Sequence, residues 1–207
     1  MNKKTGTLAA LGAGALIALS LLGASPAAAQ VPDEKLREQH CFTNHNEAGA
    51  VDAEACAGSI EELEKIALDE YGLVFVGDVK DQAELDAAQA RLDEQYAARG
   101  LVAPMATSSM AQFYYGASYT GSSFLETSPY SCATNPFAIA YKANLASVPG
   151  ANDNVESYRV YSGCKVWTWE NANKGGALFG PTNYDVPSLG SMNDRVSSWC
   201  VRSGPSC

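Results

Sequence analysis

Apolar residues recur with a helical period in two stretches of the N-terminal half. They fall at Ile60, Leu63, Ile66 and Ala67 in the first stretch and at Leu85, Ala88, Leu92 and Tyr96 in the second. Each stretch follows a capping box, in which a side-chain oxygen and a carboxylate three residues later satisfy the free backbone amides of a helix start. The capping pairs are Ser59 with Glu62 and Asp81 with Glu84. The pattern predicts two helices that end near Gly72 and Gly100, with an apolar extended segment at residues 73–76 between them.

From Ala111 onward the helical period gives way to short alternating runs and frequent turn residues, which is typical of an all-β fold. Strands are predicted at residues 159–161, 165–169 and 199–202, and turns at residues 171–176 and 180–183, where Gly or Asn can adopt a positive φ. We expect the aromatic residues of this region to fill a sandwich core. Exposure of Trp167, Trp169 or Trp199 as a sugar-stacking platform is the alternative.

The first 29 residues have the pattern of a secretory signal peptide. Lys3 and Lys4 precede a run of apolar and small residues at 8–24, and three alanines at 27–29 offer a cleavage site. An uncleaved membrane anchor is the alternative, but the run is shorter and richer in Gly and Ala than a span of about 20 residues requires. We therefore predict a signal peptide at residues 1–29 and a secreted, extracellular protein that does not associate with a membrane.

Acidic residues are concentrated between the predicted signal peptide and the β region. Residues 31–100 contain 17 acidic and 6 basic residues, whereas residues 101–207 contain 6 of each. No basic stripe occurs, so we expect no nucleic-acid partner. We interpret residues 30–100 as an acidic, mainly helical region that is a propeptide, a permanent companion of the β domain or a solvated spacer. The uncharged residues 101–110 are predicted to be an exposed linker, and residues 111–207 the β domain.

The six cysteines favour disulfide bonds, because their number is even and an exported chain enters an oxidising compartment. Cys41 and Cys56 lie together in the acidic region and are expected to form a local bridge. The other four, Cys132, Cys164, Cys200 and Cys207, lie in the β region, where three connectivities remain open. A zinc site at Cys41 with its neighbouring histidines is the competing interpretation, but the ligand spacing of a structural zinc site is missing.

The β region contains a repeat. Asn-Asp-Asn-Val-Glu-Ser at residues 152–157 is followed 41 residues later by Asn-Asp-Arg-Val-Ser-Ser at residues 193–198. A second shared pattern precedes each copy in the sequence. It consists of an aromatic residue, a second aromatic residue five positions later, and a glycine two positions after that. The first pattern is Tyr114, Tyr119 and Gly121, and the second is Trp169, Lys174 and Gly176, which departs from it only at Lys174. Such spacing predicts a strand that runs into a folded hairpin, and two copies predict one domain of two motifs.

Together, the hairpin pattern and the hexapeptide resemble the βγ-crystallin superfamily, whose Greek-key motif carries such a hairpin followed by (Asn/Asp)-(Asn/Asp)-X-X-(Ser/Thr)-Ser. Residues 169–198 are particularly similar to secreted actinobacterial members, which include the streptomycete metalloproteinase-inhibitor family. The resemblance covers residues 112–207 and implies an all-β Greek-key sandwich, preceded here by the small acidic helical region. The first copy departs from the family in an insertion of about 14 residues near Cys132 and in Glu156, which replaces Ser or Thr.

The resemblance also implies a calcium site, because the family's two motifs exchange loops. The second position and the hydroxyl position supply side-chain oxygens, and the first X position supplies a backbone carbonyl. The corresponding residues are Asp153, Asn154 and Glu156 in the first copy and Asp194, Arg195 and Ser197 in the second. Glu156 could ligate the ion, repel a neighbouring carboxylate or point to water, whereas Ser157 and Ser198 are expected to be structural. Binding should be weak, with a Kd on the order of 10⁻⁴ to 10⁻³ M; loops that keep only the turn geometry are the alternative.

Catalysis has little support in the sequence. Both histidines, His40 and His45, precede the β domain, and neither a Gly-X-Ser-X-Gly elbow nor a phosphate-binding glycine loop occurs. We therefore expect a non-enzymatic monomer. The first hypothesis is a calcium-binding extracellular module. The second is an inhibitor of an extracellular protease that presents a disulfide-braced loop, at residues 200–207 or near Cys132, since a preorganised loop loses little entropy on binding.

Overall fold

The computed structural model describes residues 38–46, 48–135 and 139–207. The predicted signal peptide at residues 1–29 lies outside the described residues. Within these ranges, no helix is both long and apolar enough to cross a membrane.

The acidic region forms a hairpin, a helix, a short strand and a second helix. Its elements are β1 (His40–His45), β2 (Val51–Ala57), α1 (Ile60–Tyr71), β3 (Leu73–Phe75) and α2 (Gln82–Ala97). The side chain of Ser59 accepts a hydrogen bond from the amide of Glu62, and Asp81 caps α2 in the same way. Gly72 ends α1 in the left-handed conformation, with φ 65°. Both predicted helices and their N-terminal caps are therefore confirmed.

The β region forms two sheets. Its strands are β4 (Met105–Gly116), β5 (Thr120–Ser128), β6 (Ile139–Lys142), β7 (Ser157–Val160), β8 (Lys165–Asn171), β9 (Gly175–Thr182) and β10 (Ser198–Arg202). The first sheet has the order β2-β1-β5-β4-β3, with β7 also paired to β4, and the second has the order β6-β10-β8-β9. The strands predicted in the second half of the chain correspond to β7, β8 and β10.

The strand order shows two Greek-key motifs, and one segment of each motif pairs with strands of the other motif. In the first, β4 and β5 form a hairpin, β6 crosses to pair with β10, and β7 returns beside β4. In the second, β8 and β9 form a hairpin, Val186 crosses to bridge Tyr158 of β7, and β10 returns beside β8. This architecture is the all-β Greek-key sandwich that the repeat and the resemblance predicted.

The core between the sheets is aromatic. Phe113 stacks on Trp199 with ring centroids 3.9 Å apart, and Phe124 packs against the same indole. Trp199 is fully buried in this core, whereas Trp167 and Trp169 pack with Cys200 in a separate apolar cluster and are only 4% and 7% exposed. All three tryptophans therefore serve packing, and their burial contradicts the alternative of an exposed sugar-stacking platform.

The prediction of an exposed linker at residues 101–110 is wrong from Met105 onward. β4 begins there, and its residues 106–111 are buried. This stretch pairs with β5 on one side and with β3 on the other, and small uncharged residues suit a strand that is covered on both sides. The first sheet consequently runs through both predicted regions, since β1 and β3 belong to the acidic one.

All six cysteines are paired. The bridges are Cys41–Cys56, Cys132–Cys164 and Cys200–Cys207. The predicted local bridge is confirmed, and within the β region each cysteine pairs with its neighbour in sequence. The bridge at Cys41 also contradicts the zinc interpretation. Three disulfides are typical of a protein in an oxidising compartment.

Candidate functional site

The two hairpins that precede the hexapeptide loops have the same backbone path. Tyr119 and Lys174 both adopt left-handed conformations, with φ 64° and 62°, and are followed by Gly121 and Gly176 at φ 76° and 74°. A Cβ atom on Gly176 would lie 2.7 Å from the side-chain Nδ2 of Asn171 and 3.0 Å from Cβ of Glu170, and the positive φ of Gly176 favours glycine independently of these contacts. Lys174 thus keeps the geometry of the pattern although it replaces the aromatic residue.

The last serine of each hexapeptide ties its loop to its own hairpin. Ser157 Oγ donates to the carbonyl of Gly116 at 2.6 Å and accepts from the amide of Tyr119 at 3.0 Å. Ser198 does the same in the second hairpin, at 2.8 Å and 3.2 Å from its partners. These bonds confirm the predicted structural role of the two serines.

The two hexapeptide loops lie against each other and exchange reciprocal backbone hydrogen bonds. The amide of Asp153 donates to the carbonyl of Val196 at 3.0 Å, and the amide of Asp194 donates to the carbonyl of Val155 at 3.3 Å. Both aspartates have φ 56°, a left-handed conformation that Asp tolerates better than most residues. Each aspartate is thereby placed beside the loop of the other motif.

The first half-site is formed by Asp153 and Ser197. Ser197 Oγ donates to Asp153 Oδ1 at 2.9 Å, and Asn152 Nδ2 donates to Asp153 Oδ2 at 2.7 Å. Asp153 is exposed and Ser197 is half-buried. The structure therefore brings together a carboxylate from the first motif and a hydroxyl from the second.

Asp194 and Glu156 hold the equivalent positions in the second half-site. Glu156 Oε2 accepts from Asn193 Nδ2 at 3.4 Å, while the Glu156 amide donates to the carbonyl of Tyr114 at 3.0 Å. The Glu156 side chain therefore contacts the second loop through Asn193, and its role toward a cation stays a prediction. The structure does not show a hydrogen bond between Asp194 and Glu156 among the described residues.

The side chains of Arg195 and Asn154 are engaged outside the half-sites. The Arg195 guanidinium forms an ion pair with Glu170 and donates to the carbonyl of Ser191 at 3.0 Å. The hydrogen bond from Arg195 holds the pKa of Glu170 below its usual value. Asn154 Nδ2 donates to the carbonyl of Gly150 at 2.8 Å. A guanidinium has no acceptor atom, so Arg195 could ligate a cation only through its backbone carbonyl.

The donor set matches a hard cation in chemical type. Carboxylate, hydroxyl and carbonyl oxygens are the ligands of Ca²⁺, which takes six to eight of them. Within residues 38–46, 48–135 and 139–207, no group of three or more His, Cys, Asp or Glu side chains is placed to hold a metal ion. Each half-site would therefore need backbone carbonyls and water to complete its shell.

Sequence reasoning missed a buried polar network in the core. Glu126 contacts His45 Nε2 at 2.7 Å and accepts from Trp199 Nε1 at 2.6 Å, and all three side chains are buried. His45 Nδ1 lies 3.1 Å from the carbonyl of Gly49; because a carbonyl only accepts, Nδ1 carries a hydrogen. Burial alone would lower the pKa of His45, but the charge and the hydrogen bond of Glu126 raise it. The residues stand 81 positions apart, so no local signal could have paired them.

A small cavity lies between α1 and the outer face of the first sheet. Its volume is about 190 Å³, and Leu63, Phe75, Gln112, Ser123 and His40 are among its lining residues. Ser123 Oγ lies 2.9 Å from His40 Nδ1 and accepts from Gln112 Nε2 at 3.1 Å. The acidic region and the β region both contribute walls, so the cavity depends on their packing.

Comparisons with known proteins give likenesses to part of the chain. No protein-family profile and no curated sequence matches it. A βγ-crystallin domain from Clostridium beijerinckii is 26% identical over 46% of this chain and 99% of its own, with a TM-score of 0.35. A βγ-crystallin domain from Flavobacterium johnsoniae is 24% identical over 47% and 99%, with a TM-score of 0.34. The N-terminal domain of protein S is 23% identical over 47% and 99%, with a TM-score of 0.36. The chain contains a βγ-crystallin-like Greek-key sandwich, and this assignment rests on its own strand order and paired loops.

Proposed function

We propose that the protein is a secreted, non-enzymatic βγ-crystallin-like module that binds calcium weakly between its two hexapeptide loops. The observation that carries the proposal is the 2.9 Å contact between Ser197 Oγ and Asp153 Oδ1, which joins side-chain oxygens of different motifs. A cation held between them would link the motifs. The Kd is expected on the order of 10⁻⁴ to 10⁻³ M, as in other extracellular modules.

The two half-sites differ in their donors. The first offers the side chains of Asp153 and Ser197 with the carbonyl of Arg195, and the second offers the side chains of Asp194 and Glu156 with the carbonyl of Asn154. In the first, the two side-chain oxygens already lie together. In the second, Glu156 would have to leave Asn193. Preorganisation therefore favours the first half-site.

Thermal unfolding with and without calcium tests this proposal. With a Kd of about 10⁻³ M, about 10 mM calcium stabilises the folded protein by about 1.4 kcal/mol. For a domain of this size that corresponds to a rise in Tm of about 3–6 °C. Ser197→Ala and Asp153→Asn should remove the rise, while Ser191→Ala, an exposed serine outside both hexapeptides, should keep it. An equal rise in all four proteins would place the ion elsewhere.

A second candidate function, inhibition of an extracellular protease in the manner of the streptomycete metalloproteinase inhibitors, is favoured by one observation. The bridge between Cys200 and Cys207 closes a loop in which Pro205 and Ser206 are exposed. Nanomolar inhibition of a thermolysin-like protease, weakened by changing both bridge cysteines to serine, would support this function. Slow digestion of the protein as an ordinary substrate would exclude it.

A further inference from the structure

We infer that residues 38–100 are a permanent, non-covalently held part of the β sandwich, and that cleavage in the exposed loop after α2 leaves the two parts bound. A propeptide would instead leave once its connection was cut. The inference is independent of calcium binding, because its contacts lie outside the hexapeptide loops.

β1 occupies an interior position in the first sheet. It pairs in parallel with β5 over residues 40–44 and antiparallel with β2 on its other side. β3 pairs in parallel with the start of β4. Loss of this region would leave the backbone edge of β5 unpaired, and an unpaired edge is a template for aggregation.

Buried polar side chains cross the junction in the interior. Asn44 Oδ1 accepts from Thr107 Oγ1 at 2.7 Å and from Thr127 Oγ1 at 2.9 Å. His45 contacts Glu126 at 2.7 Å, and both side chains are at most 1% exposed. Departure of the acidic region would take these partners away from Thr107 and Thr127 and leave Glu126 with only its hydrogen bond from Trp199, although buried polar groups require partners.

Further contacts reach the rest of the β region. Asp78 Oδ1 accepts from the amide of Ser162 at 2.6 Å, and the amide of Val79 donates to Ser162 Oγ at 3.1 Å. Lys142 of the second sheet forms an ion pair with Glu54 of β2 at 2.9 Å. The acidic region is thus held through β2 and through residues 78–79 as well as through β1, and it contacts both sheets.

The covalent link between the two parts is one short exposed loop. Cys41–Cys56 lies within the acidic region, and the other two disulfides lie within the β region. In the loop, Leu101 is 58% exposed and Val102 is 93% exposed. Exposed loops of this kind are preferred sites of proteolytic nicking and tolerate insertions.

The test is a full-length protein with the recognition sequence of a site-specific protease inserted between Val102 and Ala103. After complete cleavage, verified by denaturing electrophoresis, we expect the fragments to co-elute in size-exclusion chromatography at the volume of the uncut protein and to separate only in denaturant. Separation under native conditions, with or without aggregation of the β fragment, would overturn the inference. An insert that the protease cannot cut would contradict the accessibility of the loop.

A matched pair of variants shows whether the junction holds the fragments together. In the cut protein, His45→Ala removes a contact across the junction and should lower the denaturant concentration at which the fragments separate. Lys65→Ala changes an exposed residue whose partner, Asp69, lies on the same helix, and should leave that concentration unchanged. Equal midpoints in the two variants would show that the fragments are held by something other than the buried junction.

Discussion

Replacing His45 with alanine removes the partner of a buried carboxylate. Glu126 is completely buried, and its two described side-chain partners are His45 at 2.7 Å and Trp199 at 2.6 Å. The alanine variant leaves the indole hydrogen bond but takes away the imidazole and the proton it shares with the carboxylate. A charged group would then remain in the core with half of its partners.

The expected cost is large. Breaking a buried ion pair by removal of one partner typically destabilises a protein by about 3–5 kcal/mol, because the remaining charge is uncompensated. For a domain of this size, that loss corresponds to a fall in Tm of about 6–20 °C. Changing Glu126 to glutamine in the same chain removes the stranded charge while the amide oxygen can still accept from Trp199, so the double variant should recover part of the loss.

Urea unfolding of the wild type, His45→Ala and the double variant with Glu126→Gln measures these differences as free energies of unfolding. We expect unchanged m-values and a double variant that is more stable than the single one. Below about pH 6.5, where His45 carries its charge in the folded protein, a loss below about 1 kcal/mol for His45→Ala, the range of an exposed ion pair, would refute the interpretation of a buried charged pair.

Three further predictions concern the same sandwich. The pKa of His45 is raised in the folded state, so the stability that its charged form contributes is complete below the unfolded pKa of about 6.5 and is lost as pH rises through the folded pKa. The difference in free energy of unfolding between wild type and His45→Gln should therefore shrink over that pH range. A difference that does not change with pH would contradict this prediction. Gly176→Ala should cost at least about 1–2 kcal/mol in urea unfolding, because the residue has φ 74° and a crowded Cβ position; Gly190→Ala, at φ 61° with open space around it, is the control and should cost less. Replacing both Cys200 and Cys207 with serine should lower the free energy of unfolding by about 2 kcal/mol, because the unfolded chain gains the entropy that the closed loop removes. An unchanged free energy would show that this bridge adds nothing to stability.

Local features of the fold could be predicted from the sequence because their causes are local. The caps at Ser59 and Asp81 act within one helical turn, and the hairpin at Gly176 needs a positive φ that the sequence pattern marks. The family resemblance implied the exchange of loops, and this exchange brings Asp153 next to Ser197. By contrast, nothing near β1 indicates that it pairs with β5, since the partners of residues 40–44 lie 83 positions away.

The missed features share a physical cause, which is burial decided by distant partners. The stretch from Met105 forms a strand because residues 105–107 pair with β3 and the residues from Ser108 onward pair with β5. The same uncharged sequence would be an exposed linker without these partners. In the sequence, His45 stood out only as a neighbour of Cys41, whereas in the fold its partner is Glu126, which lies 81 positions away. The burial of the three tryptophans, by contrast, was predicted, because large aromatic side chains in a β region usually serve packing.

Calorimetric titration of calcium into the full-length protein, alongside its Asp153→Asn variant, tests the central claim most directly. We predict a binding heat with a Kd on the order of 10⁻⁴ to 10⁻³ M for the wild type and at least about a tenfold weaker affinity for the variant, a loss of about 1.4 kcal/mol. The absence of any heat at millimolar calcium, or an unchanged affinity in the variant, would contradict a cation site between the two hexapeptide loops.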